Sequence, residues 1–111
     1  VVVSGIADVF MEYEDREDMK QICRELIGGT PTTAQEKYVE RSAVRWADEI
    51  YAPILMLHSK YDVQVSCQQS ENMAAALDKA GKDYSLIKYN DSIHGLHQED
   101  IAVIADWLKK E

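Results

Sequence analysis

The sequence predicts an α/β domain: a three-stranded parallel sheet flanked by helices, with residues 1–111 forming one unit. Three observations carry this. The runs VVV at residues 1–3 and PILML at residues 53–57 are apolar without alternation, as in strands covered on both faces. A third run, DYSLIKYN at residues 83–90, reads as another strand. Between the strands lie segments with apolar residues at helical spacing. Strands alternating with helices imply right-handed crossovers and a parallel sheet.

The elements follow in order. Val1-Val2-Val3 is a β-branched strand that Ser4-Gly5 interrupts. From residue 14 to 27, Met19, Ile22, Cys23, Leu26 and Ile27 recur with helical period, and Gly28-Gly29 followed by Pro31 supplies the stop. Thr33 and Glu36 stand at capping-box spacing and open a shorter helix through Tyr38. RSAVRWADEIYA has no clear period; Arg41 and Trp46 read as surface and packing residues. After the strand at 53–59, a polar loop at 60–67 leads into a helix over 68–80, with Met73, Ala76, Leu77 and Ala80 facing inward and Gly81 ending it. Beyond the third strand, Ile101, Ile104, Ala105 and Leu108 make the inward stripe of a last helix. Lys109 and Lys110 sit favourably at its C-terminal dipole.

Composition narrows the function classes. The 111 residues are 46% hydrophobic and 29% charged, ordinary for one folded domain and too few for two. A net charge of -8 argues against nucleic acid, whose phosphates need clustered Lys and Arg. No run approaches the roughly 18 apolar residues of a membrane span. The two cysteines, Cys23 and Cys67, have no metal-ligand spacing; Cys23 falls on the apolar stripe of its helix and reads as a buried thiol rather than half of a disulfide, which fits a reducing, cytoplasmic setting. The apolar opening without an initiator Met suggests a piece of something longer.

Chemistry in open parallel sheets gathers beyond the carboxyl ends of the strands. Asp62 follows the second strand in LHSKYD and His94 follows the third in DSIHG. A carboxylate on one imidazole nitrogen fixes the tautomer and stabilises the imidazolium that forms when the other nitrogen takes a proton. Asp62 and His94 are therefore the acid/base candidates; the alternative is a turn aspartate and a loop histidine. His94 and His97 with Glu99 and Asp100 are a weak metal pattern, because no helix underlies both histidines. His58, at a strand end, reads as a packed histidine. No glycine-rich phosphate loop is present, and no cofactor is expected.

The run YVERSAVRWADEIYAPILMLHSKYDVQVSCQQSENMAAALDKAGKDYSLIKYNDSIHGL carries a resemblance. Through Arg41-Ser42, Pro53, LHSKYD, Gln69-Ser70, Met73, Ala76-Leu77, Gly81-Lys82, Tyr89 and His94-Gly95 it resembles the C-terminal part of the α/β-hydrolase catalytic domain in the prolyl oligopeptidase family, above all the acylaminoacyl-peptidase and dipeptidyl-peptidase-like branches. VVVSGIADVF looks like the strand and loop after the nucleophile helix, and IADWLKK like the closing helix, so the likeness spans nearly the whole chain.

The resemblance implies a partial α/β-hydrolase fold and a Ser-Asp-His triad, with Asp62 as its acid and His94 as its general base. The serine of such enzymes stands on a G-x-S-x-G elbow. No such elbow occurs in these residues, and Ser4-Gly5 is not one, so the elbow is expected before Val1. Three positions depart from the family pattern: Ser59 for Gly, Ser66 for Pro and Asn90 for Pro. The expectations are a serine-type peptidase segment, inactive alone, acting on a peptide or ester only in the complete enzyme. Its partner is the missing N-terminal segment or a second copy joined edge to edge. Alternatives are an interaction module that dimerises through its exposed sheet edge, and a piece of an α/β-hydrolase esterase.

Overall fold

The computed structural model describes residues 1–110. Three parallel strands form one sheet in the order β1 (Val2–Val3), β2 (Ile54–Ser59), β3 (Tyr84–Tyr89). Met56 stands opposite Val2 and Leu86 in the register, so β2 is the central strand. The helices are α1 (Val9–Asp15), α2 (Lys20–Cys23, continuing as a wide π-type turn over Arg24–Gly28), α3 (Gln35–Glu40), α4 (Gln68–Lys79) and α5 (Asp100–Lys110). The three-stranded parallel sheet with flanking helices is the expected fold.

Two clusters hold it together. Met56 of β2 packs with Ala47 and with Met73, Ala74 and Leu77 of α4; Leu77 is fully buried. Tyr13, Cys23, Ile27 and Tyr38 tie α1, α2 and α3 into a second cluster, where the Tyr38 hydroxyl donates to the Gly29 carbonyl at 2.8 Å. Gly29 is required there. Its φ is +152°, and an added Cβ would come within 2.8 Å of Thr33 Oγ1.

Three elements differ from the sequence reading. The helix expected from residue 14 is two pieces: α1 starts early, where Asp8 Oδ1 accepts from the Phe10 and Met11 N–H groups at 3.0 and 3.3 Å, and the backbone is extended at Arg16, with φ -123° and ψ 97°. Ile22 and Leu26 then face solvent, while Cys23 and Ile27 face the core. The capping box at Thr33 does not form: Thr33 Oγ1 accepts from Thr30 N–H at 2.8 Å instead, and α3 begins at Gln35 with no side-chain cap. RSAVRWADEIYA, which has no clear period, forms two single 3-10 turns, in keeping with that reading. In α5 the stripe is not buried: Ile101 is 75% and Leu108 58% exposed, and Val103 and Trp107 are the apolar side chains that flank a groove with Leu55 and Ile87 of the sheet.

Candidate active site

All three strand ends contribute to one locus. After β2 the chain turns, and Asp62 N–H donates to the Ser59 carbonyl at 3.3 Å. The Asp62 side chain is fully buried. Its Oδ1 accepts from Gln64 N–H at 2.8 Å and Val65 N–H at 3.0 Å, a short aspartate turn that locks the carboxylate plane. That leaves Oδ2 free to accept from His94 Nδ1 at 2.8 Å.

His94 arrives from the loop after β3. Lys60 N–H donates to the Tyr89 carbonyl at 2.8 Å and Tyr61 N–H to the Asp91 carbonyl at 3.0 Å, so the two loops run side by side. The end of β1 supplies a third hold. Ser4, in the left-handed region at φ +51°, accepts the Gly95 N–H on Oγ at 3.0 Å. Gly95 itself has φ +120°, which only glycine adopts without strain. Because a carboxylate can only accept, His94 Nδ1 carries the proton and Nε2 the lone pair. Among the described residues no group hydrogen-bonds Nε2, and the side chain is one-third exposed.

His58 lies beneath. Its Nε2 donates to the Val65 carbonyl at 2.8 Å and its Nδ1 accepts from Ser70 Oγ at 2.7 Å, so one tautomer satisfies the whole ring inside the core. His97 is separate from His94. Its Nε2 donates to Asp91, and its backbone N–H donates to Asp100 Oδ2 at 2.7 Å. His94 and His97 therefore belong to different carboxylates and share no ligand set.

A model of the prolyl oligopeptidase family matches residues 1–111, from the first strand through both loops to α5. The chain belongs to the prolyl oligopeptidase family. It is 28% identical over 109 residues to the uncharacterized peptidase YtmA of Bacillus subtilis strain 168, covering 95% of this chain and 42% of YtmA. Among solved structures, the puromycin-hydrolyzing peptidase of Mycobacterium tuberculosis superposes with a TM-score of 0.76 at 31% identity, over 92% of this chain and 16% of that one. An acylaminoacyl peptidase of Pyrococcus horikoshii gives 0.73 at 26% identity, over 83% and 15%. The chain thus spans less than half the length of these relatives.

Several residues that build this locus were not singled out as site residues in the sequence. Ser4 holds the His94 loop. Gln69, fully buried, accepts from Ala7 and Asp8 N–H on Oε1 at 3.1 and 2.8 Å and donates from Nε2 to the Asp8 carbonyl at 2.9 Å, pinning the loop after β1 to α4. Ser42, also fully buried, accepts from Val9 N–H and donates to the Tyr38 carbonyl. The only signal was that Gln69-Ser70 and Arg41-Ser42 fall among the matched positions.

Electrostatics favour charge at the site. Burial acts to raise the Asp62 pKa, but the hydrogen bonds from Val65, His94 and Gln64 outweigh it and hold the carboxyl below its usual range. A hydrogen bond from Ser59 lowers Asp91, and burial of Asp100 is outweighed by bonds from Tyr89 and His97. Burial opposes the His97 charge, yet Asp91 and Asp100 raise its pKa above 6.5. Burial, then Asp100, pushes Tyr89 up to about 12, so it stays a hydroxyl donor.

A pH dependence follows from these directions. The depressed carboxylates contribute stability that is present above their unfolded pKa, roughly 4, and lost as pH falls through the lower folded values. His97 contributes fully below its unfolded value of 6.5 and loses that contribution as pH rises through the higher folded one. Thermal melts at stepped pH are expected to peak between these limits, with His97→Gln flattening the alkaline limb. A wild-type melting temperature that stays level from pH 6 to pH 9 counts against the His97 part.

Proposed function

We propose that this chain supplies the acid and the base of a serine hydrolase acting on a peptide or ester carbonyl. The observation that carries the reading is the 2.8 Å bond from His94 Nδ1 to a buried Asp62, with Nε2 left open at the carboxyl edge of the sheet. In such a site His94 Nε2 takes the proton from an attacking serine and later gives it to the leaving group, while Asp62 orients the ring and stabilises the imidazolium. The names of the relatives, all peptidases, support peptide bonds over other acyl substrates.

No G-x-S-x-G stands among the 111 residues, so on this reading the serine and its oxyanion donors come from a segment outside them. The chain alone is then silent. Incubated with a p-nitrophenyl ester or a peptide anilide it is expected to give no turnover above buffer. Mixed with a family segment bearing the elbow, it is expected to gain turnover that His94→Ala abolishes. Turnover by the chain alone that His94→Ala removes overturns the silent-chain reading. Turnover in the mixture that survives His94→Ala overturns the base assignment.

The free edge of β1 favours a second reading, that the chain acts by association. β1 pairs with β2 on one side, Val1, Val2 and Ile6 are exposed, and an apolar cavity of about 120 Å³ lies beside them between Val2, Ile6, Met56 and Met73. An unpaired apolar strand edge recruits another strand, from the serine-bearing segment or from a second copy. Sedimentation at micromolar concentration is expected to give a dimer of the isolated chain; a monomer removes the second copy.

A further inference from the structure

His94 lies at the tip of a loop whose base is closed by a paired imidazole. Asp91 and His97 stand three residues to either side of it. His97 Nε2 donates across the base to Asp91 Oδ2 at 2.9 Å, with Oδ1 at 3.2 Å, and Asp91 Oδ1 also accepts from Ile93 N–H at 3.1 Å. On its far side the ring meets α5. Nδ1 is buried without a hydrogen-bond partner, 3.5 Å from Asp100 Oδ2, and Asp100 is itself fully buried. The Tyr89 ring stacks on His97 with centroids 4.0 Å apart, and the Tyr89 hydroxyl donates to Asp100 Oδ1. Ser59 Oγ of β2 completes the surround, 3.5 Å from Nε2. Glu99 is the other charged neighbour, and among the described residues no Lys or Arg bonds to the cluster.

This clamp is more than is needed to start α5. Ser92, Ile93, His94 and Leu96 are exposed, and the loop has a glycine, so local packing restrains it little. What restrains it is closure at the base, together with the Ser4 and Tyr61 bonds already described. Closing a short loop removes most of its alternative conformations, and the direction of His94 Nε2 is one of the quantities thereby selected.

We propose that His97 is a positioning residue: held between Asp91 and Asp100, it closes the loop that aims His94 at Asp62. The inference rests on the reading of His94 as the base and adds a residue to it. Among the described residues His97 makes no hydrogen bond to His94, and it acts through loop geometry.

The test uses imidazole N–H resonances of the 111-residue chain labelled with ¹⁵N. His94 Nδ1–H, assigned by its loss in His94→Ala, reports the Asp62 bond. His58 Nε2–H, buried on the Val65 carbonyl, is an internal control in the same spectrum. In His97→Leu the His94 proton is expected to exchange with solvent about tenfold faster or to broaden away, with His58 unmoved. His97→Gln, which keeps a donor for Asp91, is expected to restore part of the protection. Should His97→Leu not fold, Asp91→Asn weakens the same closure and is expected to speed His94 exchange in the same direction. An unchanged His94 signal in His97→Leu or in a folded Asp91→Asn overturns the positioning role and leaves the Asp62–His94 pair standing. Loss of both His94 and His58 signals in a variant that still folds makes His97 a general stability residue and also overturns it. Absence of the His94 signal from the wild-type chain overturns the pair itself, and the inference with it.

Discussion

Asp62→Asn, in a form of the enzyme that has its serine, is expected to lower kcat about 10⁴-fold while KM changes little. The reason is specific to this turn. Gln64 and Val65 N–H both point at the Oδ1 position and need an acceptor there. They force the asparagine to place its carbonyl oxygen toward them and its NH2 toward His94. An NH2 can only donate, so His94 Nδ1 must become the acceptor and Nε2 must carry the proton. The ring keeps its place but presents a donor where the serine needs a base. Fold and binding survive, and the chemical step does not. A kcat within tenfold of wild type, in a protein whose melting temperature is unchanged, removes Asp62 from the orienting role.

Gln69→Leu is expected to cost about 3 kcal/mol of stability, because it leaves the Ala7 and Asp8 N–H groups without partners at about 1–3 kcal/mol per unpaired buried group, discounted for partial exposure, while the Asp8 carbonyl keeps only the Glu12 N–H. Leucine fills nearly the same volume, so the loss is one of hydrogen bonds rather than packing. Against a typical total of about 5–15 kcal/mol, that is a large share for a chain of this length. Urea unfolding followed by tryptophan fluorescence reads it as a lower midpoint with an unchanged slope. A loss below about 1 kcal/mol shows that water replaces the amide at this loop.

Much of the fold was legible because its signals are local. β2, β3 and α4 have long apolar runs or stripes bounded by Pro53 and Gly81, and their ends fall within a residue of expectation. α1 was missed although Asp8 is a good capping residue, since VVVSGIADVF resembles a strand and its following loop more than a helix start. Thr33 failed as a cap because Thr30 competes for its hydroxyl, and neither outcome is preferred by spacing alone. The α5 stripe has the right period, but period says only which residues share a face, and Ile101 and Leu108 point away from what this chain provides.

For the site, the residue types and their places after successive strands named Asp62 and His94, and the family likeness ordered them as acid and base. Their contact was beyond reach of pattern. It depends on β2 and β3 being neighbours in register, Ser59 opposite Tyr89, so that two loops separated by a whole helix run in parallel. His97 looked like a bystander for the same reason, since its partners Asp91 and Asp100 are nearby in the chain but meet it only because Tyr89 stacks on one face. Sequence by itself determined the alternation of strands and helices, the family, and which side chains have the chemistry to serve. The tertiary structure alone decided which oxygen faces which nitrogen, because hydrogen bonds are short and directional and the strand register sets their geometry.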